Sequence, residues 1–215
     1  MKLKRLAVCL SVAVAVSAAS GCLNVKATKN DSTENIGTEN DITQAQEETG
    51  EQIPEYTVTE AELRNLIDNN IYCMLNVFSL GTLPTIGKPV DGTNIYQVDT
   101  DIFKNYSEFE EYVRSIYSKD WADTLLYNYP YEGVRLYSEV DGKLCVDMTY
   151  AGAKGYYVDW DDYSVQIDTV KDGICEFTIK TSVEWPAENS VKEDYILNET
   201  AVYENGGWRL TRIIY

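Results

Sequence analysis

Residues 195–215 constrain what this chain can fold into more than any other stretch. Tyr195-Ile-Leu-Asn-Glu-Thr-Ala-Val-Tyr203 runs into Glu204-Asn205-Gly206-Gly207, and Trp208-Arg-Leu-Thr-Arg-Ile-Ile-Tyr215 runs out. Asn-Gly tolerates the positive φ angles of a tight primed turn, and β-branched and aromatic residues flank it, so the stretch reads as a β-hairpin. Trp208 and Leu210 share one face, whereas Ile213 and Tyr215 fall on the other. That change of phase requires either a bulge near Thr211-Arg212 or burial on both faces. The apolar face of such a hairpin must be covered, and the preceding chain supplies the cover.

The cover begins with helices. Thr59-Glu-Ala-Glu62 is a capping box ahead of Leu63, Leu66, Ile67, Ile71, Met74, Leu75 and Phe78 at helical spacing, which predicts an amphipathic helix over 60–79. Residues 81–92, with two prolines and three glycines, read as a loop, and 94–98 as a short strand. Ser107-Glu-Phe-Glu110 is a second capping box, opening a helix with Phe109, Tyr112, Val113 and Ile116 on one face. Ser118 caps a third helix through Trp121, Ala122, Leu125 and Leu126. The period then changes to two. Residues 134–140 and 143–148 flank Asp141-Gly142 as a hairpin, and Tyr163, Val165 and Ile167 alternate. Lys171-Asp-Gly173 turns the chain into a long strand with Cys175, Phe177, Ile179, Thr181, Val183 and Trp185 on one face, ended by 186–190. Helices first and an antiparallel meander afterwards is the α+β order. The expected architecture is a single domain, 56–215, with its N-terminal helices packed on a curved, cone-like antiparallel sheet.

The first 55 residues read differently. Lys2, Lys4 and Arg5 precede an apolar run over 6–19 that is too short for a membrane-spanning helix, so 1–21 is expected to be a secretory signal. Ala19-Ser20-Gly21-Cys22 looks like a lipobox, with Cys22 the lipidated, palmitate-type anchor. A diacylglycerol unit carries two acyl chains, enough for stable attachment to the extracytoplasmic face of the cell membrane. Residues 22–55 have no aromatic residue and are rich in Asn, Thr, Glu and Gln, the composition of a disordered acidic tether. All 17 tyrosines and all four tryptophans lie in 56–215.

A net charge of −17 argues against nucleic acid as a partner, because phosphate contacts need a basic face. The chain has no histidine, which removes the usual zinc sites, the Ser-His and Cys-His nucleophile pairs and the commonest general base. Cys145 and Cys175 fall in predicted strands and could pair, or could join Cys73 as small buried apolar residues; there is no Cys-x-x-Cys spacing. Asp159, Asp161 and Asp162 carry oxygen ligands, but Trp160 interrupts them and no EF-hand glycine or position-twelve Glu accompanies them, so an acidic turn is the expectation. No pair of carboxylates is singled out for hydrolysis. The chain is therefore expected to be no enzyme and to carry no cofactor or metal. The segment 149–162, Thr-Tyr-Ala-Gly-Ala-Lys-Gly-Tyr-Tyr-Val-Asp-Trp-Asp-Asp, interrupts the meander and combines glycines with aromatics, the chemistry of a recognition loop. The candidate partner-binding residues are Tyr150, Lys154, Tyr156, Tyr157, Asp159, Trp160 and Asp161.

Several short motifs occur in a particular order: an N-terminal helix, Tyr112-Val-Arg-Ser-Ile-Tyr-Ser118, Val140-Asp-Gly-Lys-Leu144, a Gly-containing loop, Tyr163-Ser-Val-Gln-Ile-Asp168, Glu176-Phe-Thr-Ile179 and Gly207-Trp-Arg-Leu210. This order, across about 60–215, resembles the DL-endopeptidase inhibitor family (IseA type) of Gram-positive bacteria. The resemblance implies a non-catalytic extracytoplasmic protein that docks onto the cleft of an NlpC-type cell-wall hydrolase, with its cleft-facing loop at 149–162. A looser likeness, to nuclear transport factor 2-like cones with a terminal Trp-Arg strand, implies instead a small-ligand or glycan binding module.

Overall fold

The structure, a computed structural model, describes residues 56–99, 101, 103–151, 157–184 and 191–215, all within the compact unit Glu51–Tyr215. The signal segment 1–21, the tether 22–55 with Cys22, the loop residues Lys154 and Tyr156, and the strand end 185–190 lie outside the described residues.

Thr59 opens α1 (Glu60–Cys73) by the predicted reciprocal cap. The Glu62 N–H donates to Thr59 Oγ1 at 3.2 Å, and the Thr59 N–H donates to Glu62 Oε2 at 2.8 Å. The buried stripe is Leu63, Leu66, Ile67, Asn70 and Cys73. A π-helical turn over Met74–Phe78 follows; Val77 and Phe78 stay in the core while Leu75 turns to solvent. The second capping box does not form as expected. Asn105 caps α2 (Tyr106–Ile116), accepting from the Glu108 N–H at 2.9 Å, so Ser107 lies inside the helix. An Asn oxygen serves as well as a Ser oxygen, and the shift frees Glu110 to bond Arg114 and Tyr127. Ser118 precedes α3 (Lys119–Tyr127); its N–H donates to the Leu210 carbonyl and its own carbonyl accepts from Ala122, both at 2.8 Å.

The fold class is α+β, but the strands make two four-stranded antiparallel sheets in place of a single curved one. β1 (Thr85–Ile86), β2 (Ile95–Val98), β3 (Tyr137–Val140) and β4 (Lys143–Asp147) form the first, in the order β1-β2-β4-β3. β5 (Ser164–Lys171), β6 (Ile174–Glu184), β7 (Lys192–Glu204) and β8 (Gly207–Leu210) form the second in chain order. The division has a local cause. β2 occupies the second edge of β4, from Ile95 opposite Asp147 to Gln97 opposite Cys145, so the later meander has no edge of β4 to join. A 3₁₀ turn, Met148–Tyr150, then leads the chain away. The three hairpin turns share one geometry, with positive φ at Asp141-Gly142, Asp172-Gly173 and Asn205-Gly206, the type I′ pattern that matches strand twist. Residues 134–135 do not extend β3: the Val134 N–H is taken by the Tyr131 carbonyl in a turn and Arg135 bridges Tyr129 in parallel, while the Leu136 carbonyl still accepts from the Asp147 N–H.

One core joins both sheets. Leu144 and Val146 of the first and Val165, Phe177, Ile179 and Leu210 of the second belong to it, with the helices contributing Leu63, Phe109, Val113 and Leu125. Tyr137 sits at its centre, its ring 4.8 Å from Phe109 and its hydroxyl donating to the Val77 carbonyl at 2.9 Å. At the C-terminus the ladder ends at Leu210, and Ile213 and Ile214 are both buried while Tyr215 is half exposed. The phase change is thus burial on both sides of an irregular tail. The expected cover is also present: Trp208 Nε1 donates to the Thr57 carbonyl at 2.8 Å.

Cys73, Cys145 and Cys175 are buried free thiols. Burial pushes the Cys73 thiol up to about 12 from 9.0. A raised folded-state value contributes stability that is complete below the unfolded value and is lost as pH rises toward the folded one. The melting temperature, followed by circular dichroism, is therefore expected to fall progressively above about pH 9, and the fall is expected to be shallower in Cys73→Val.

Candidate functional site

The described part of 149–162 is held at both ends by different sheets. At the start, the Asp147 side chain accepts from the Thr149 N–H at 2.9 Å and closes the 3₁₀ turn that ends β4. Tyr150 there is 37 % exposed and meets the 68 % exposed Tyr131 edge-on, with centroids 6.5 Å apart. At the far end, 157–159 lies along β6 as an extra rung. The Glu184 N–H donates to the Tyr157 carbonyl at 3.0 Å and the Asp159 N–H to the Ser182 carbonyl at 2.8 Å, with Val158 bridging Val183 antiparallel. β5 covers β6 as far as Lys180, and this rung extends the cover to Glu184.

The seven candidate residues fall into distinct environments. Tyr157 is 39 % exposed. Asp159 is fixed: its carboxylate accepts from Lys192 Nζ at 2.6 Å and from the Asp161 N–H at 3.2 Å. The Lys192 hydrogen bond holds it below its ordinary carboxylate value. Asp161 is exposed on the same turn. Trp160 packs against the core, edge-on to Tyr163 at 5.8 Å, and its buried Nε1 has no hydrogen-bond partner among the described residues. Lys154 and Tyr156 lie outside the described residues. Asp159, Trp160 and Asp161 are thus brought together on one turn, whereas Tyr150 shares its surface with Tyr131.

Tyr131 was not among the sequence candidates. Its signal is the turn Tyr129-Pro130-Tyr131-Glu132-Gly133, which places an aromatic residue between a proline and a glycine. Beyond that turn, the Arg135 guanidinium stacks 4.7 Å over the Tyr127 ring.

The densest charged cluster lies between α2 and α3. Arg114 bonds Glu110 at 2.8 Å and Asp123 at 2.7 Å, and the Tyr127 hydroxyl donates to Glu110 at 2.8 Å. One guanidinium bridges the two carboxylates and Lys119 adds an ammonium to Asp123 at 2.7 Å, a shared ion-pair network in place of the two contrasting environments that acid–base hydrolysis uses. Burial pushes the hydroxyls of Tyr112, Tyr117, Tyr137 and Tyr163 up, the Asp68 carboxylate adding to the shift at Tyr163; an activated tyrosine nucleophile needs the opposite shift. Among the described residues, no three His, Cys, Asp or Glu side chains converge as a metal site. Among the same residues, no helix is long and apolar enough to cross a membrane. No protein-family model matches this chain, and no curated protein matches it in sequence.

Proposed function

We propose that this chain is an extracytoplasmic lipoprotein, anchored through Cys22, that binds and inhibits a cell-wall DL-endopeptidase of the NlpC type without chemistry of its own. The observation that carries the reading is the exposure of tyrosine at both described ends of the loop: Tyr150, with Tyr131, at its start and Tyr157 at its end. Tyrosines give large contact area at low entropy cost and are over-represented among the residues that dominate protein interfaces. The motif order that resembles the endopeptidase inhibitors puts their cleft-facing loop at this same place. A docking surface also suits the second sheet better than a pocket does, since Val165, Cys175, Phe177, Ile179 and Leu210 on its inner face belong to the packed core.

The test titrates the full chain, in detergent micelles, into a peptidoglycan digest by an NlpC-type endopeptidase. Stoichiometric loss of cleavage is the expected result. Tyr131→Ala and Tyr150→Ala are each expected to weaken inhibition about tenfold at an unchanged melting temperature. A digest that proceeds unaltered, with no complex on size exclusion, overturns the reading.

A further inference from the structure

β7 is thirteen residues long, and β8 pairs with only four of them, Ala201–Glu204. On that side the remainder of β7 has no strand partner among the described residues. Which backbone groups face the open side follows from two hydrogen bonds. The Tyr203 N–H donates to the Gly173 carbonyl at 2.8 Å, so odd-numbered residues of β7 turn their backbone toward β6; the Thr200 carbonyl accepts from the Thr211 N–H at 3.2 Å, so even-numbered residues turn theirs the other way. Asp194, Ile196 and Asn198 therefore present their N–H and C=O groups along an unpaired edge, and the Ile196 side chain stands 58 % exposed beside them. An edge of this kind templates pairing with another extended chain.

The charges along the edge discriminate between occupants. Lys192 is already held by Asp159 at 2.6 Å and Arg212 by Glu199 at 2.9 Å. Glu193 and Asp194 are exposed and have no ion-pair partner among the described residues; Lys180, opposite Ile196, is one strand further in. A second copy docking antiparallel about Ile196 would set Glu193 against Glu199, whose charge Arg212 already meets, and would leave Glu193 and Asp194 of both copies without a counter-charge; a basic segment supplies one. We propose that the open edge of β7, centred on Ile196, is a β-augmentation site for an extended, basic peptide segment of a partner protein. The proposal does not depend on the inhibitor reading.

The probe is the synthetic peptide acetyl-Thr-Lys-Val-Arg-Val-Lys-Thr-amide with a fluorophore, its binding to the full chain in micelles read by anisotropy. A Glu-for-Lys/Arg version and a version N-methylated on alternate residues are the controls. The basic peptide is expected to bind saturably and about tenfold more tightly than the acidic one. Glu193→Lys/Asp194→Lys is expected to invert that preference. Ile196→Pro, which removes an outward N–H and no bond to β6, is expected to abolish binding. N-methylation of the peptide tests the same backbone pairing on the unaltered protein, should the proline variant not fold. Absence of binding, equal binding of both peptides, indifference to N-methylation, or self-association of the chain through this edge each overturns the proposal.

Discussion

Replacing Asn70 by Ala is expected to lower the unfolding free energy by about 4 kcal/mol. Asn70 is fully buried on α1 and is the joint between helix, tail and the α2–α3 corner. Its Nδ2 donates to the Ile214 carbonyl, and its Oδ1 accepts from the Ile214 N–H and from the Tyr117 hydroxyl, all three at 3.0 Å. The side chain thus satisfies both backbone groups of a residue that belongs to no strand. Alanine leaves three buried polar groups without partners, each costing roughly 1–3 kcal/mol, and relaxation of the tail recovers only part of that. Tyr117→Phe removes one bond of the three and is expected to cost about 1 kcal/mol. Asn70→Asp retains the acceptor but sets an oxygen against the Ile214 carbonyl and buries a carboxylate with no counter-ion, and should cost at least as much as Asn70→Ala. Urea unfolding of the three variants gives the ranking. Equal midpoints for Asn70→Ala and Tyr117→Phe would show that the tail bonds contribute nothing.

Asn70 also shows where apolar periodicity misleads. Counting apolar residues gave Leu63, Leu66, Ile67, Ile71, Met74, Leu75 and Phe78 as the face of the first helix. The buried stripe instead passes through Asn70 and Cys73, and Leu75 is 39 % exposed. A polar residue at a stripe position is invisible to a hydrophobic count unless its partner, here 144 residues away in sequence, is known. Elements set by local chemistry were legible: the Thr59–Glu62 box, the three Asp-Gly or Asn-Gly turns, and the alternation along β6. The division into two sheets was not. It depends on β2, a four-residue strand, reaching β4 across two intervening helices, and strand partners at that distance leave no mark on local periodicity.

The candidate surface was legible to the same extent. A glycine- and tyrosine-rich interruption is a property of local sequence, and Tyr150 and Tyr157 within it are exposed. Trp160 has the same composition signal but is turned inward against Tyr163. The difference is set by the rung that 157–159 forms with β6, which fixes the turn that follows. Tyr131 was missed because its surface is completed by a residue nineteen positions later in the chain, again a matter of tertiary placement.

Arg212→Ala is expected to cost about 3 kcal/mol, although Arg212 itself is largely at the surface. Its partner decides the effect. Glu199 lies on the inner face of β7 opposite Phe177, with 4 % of its side chain exposed against 58 % for Arg212. The guanidinium meets both carboxylate oxygens, Nε to Oε2 at 2.9 Å and Nη2 to Oε1 at 3.0 Å, a fork that lysine cannot reproduce. Removing Arg212 strands a desolvated carboxylate, the expensive way to break such a pair; exposure of the guanidinium side keeps the figure at the lower end of the buried range. Arg212→Lys should lose about half as much, because one charge remains without the second hydrogen bond. The double variant Arg212→Ala/Glu199→Leu should return to within about 1 kcal/mol of the unaltered chain, since an apolar residue beside Phe177 needs no counter-ion. A double variant as unstable as Arg212→Ala alone would locate the loss in the tail and not in the carboxylate. The tail's own anchors report on it: the Thr211 N–H and Oγ1 both donate to the Thr200 carbonyl at 3.2 Å, and the Ile214 N–H donates to Asn70 Oδ1 at 3.0 Å. Amide exchange at Thr211 and Ile214 should therefore quicken in Arg212→Ala and slow again in the double variant, while exchange in the Asn205-Gly206 turn stays constant in both.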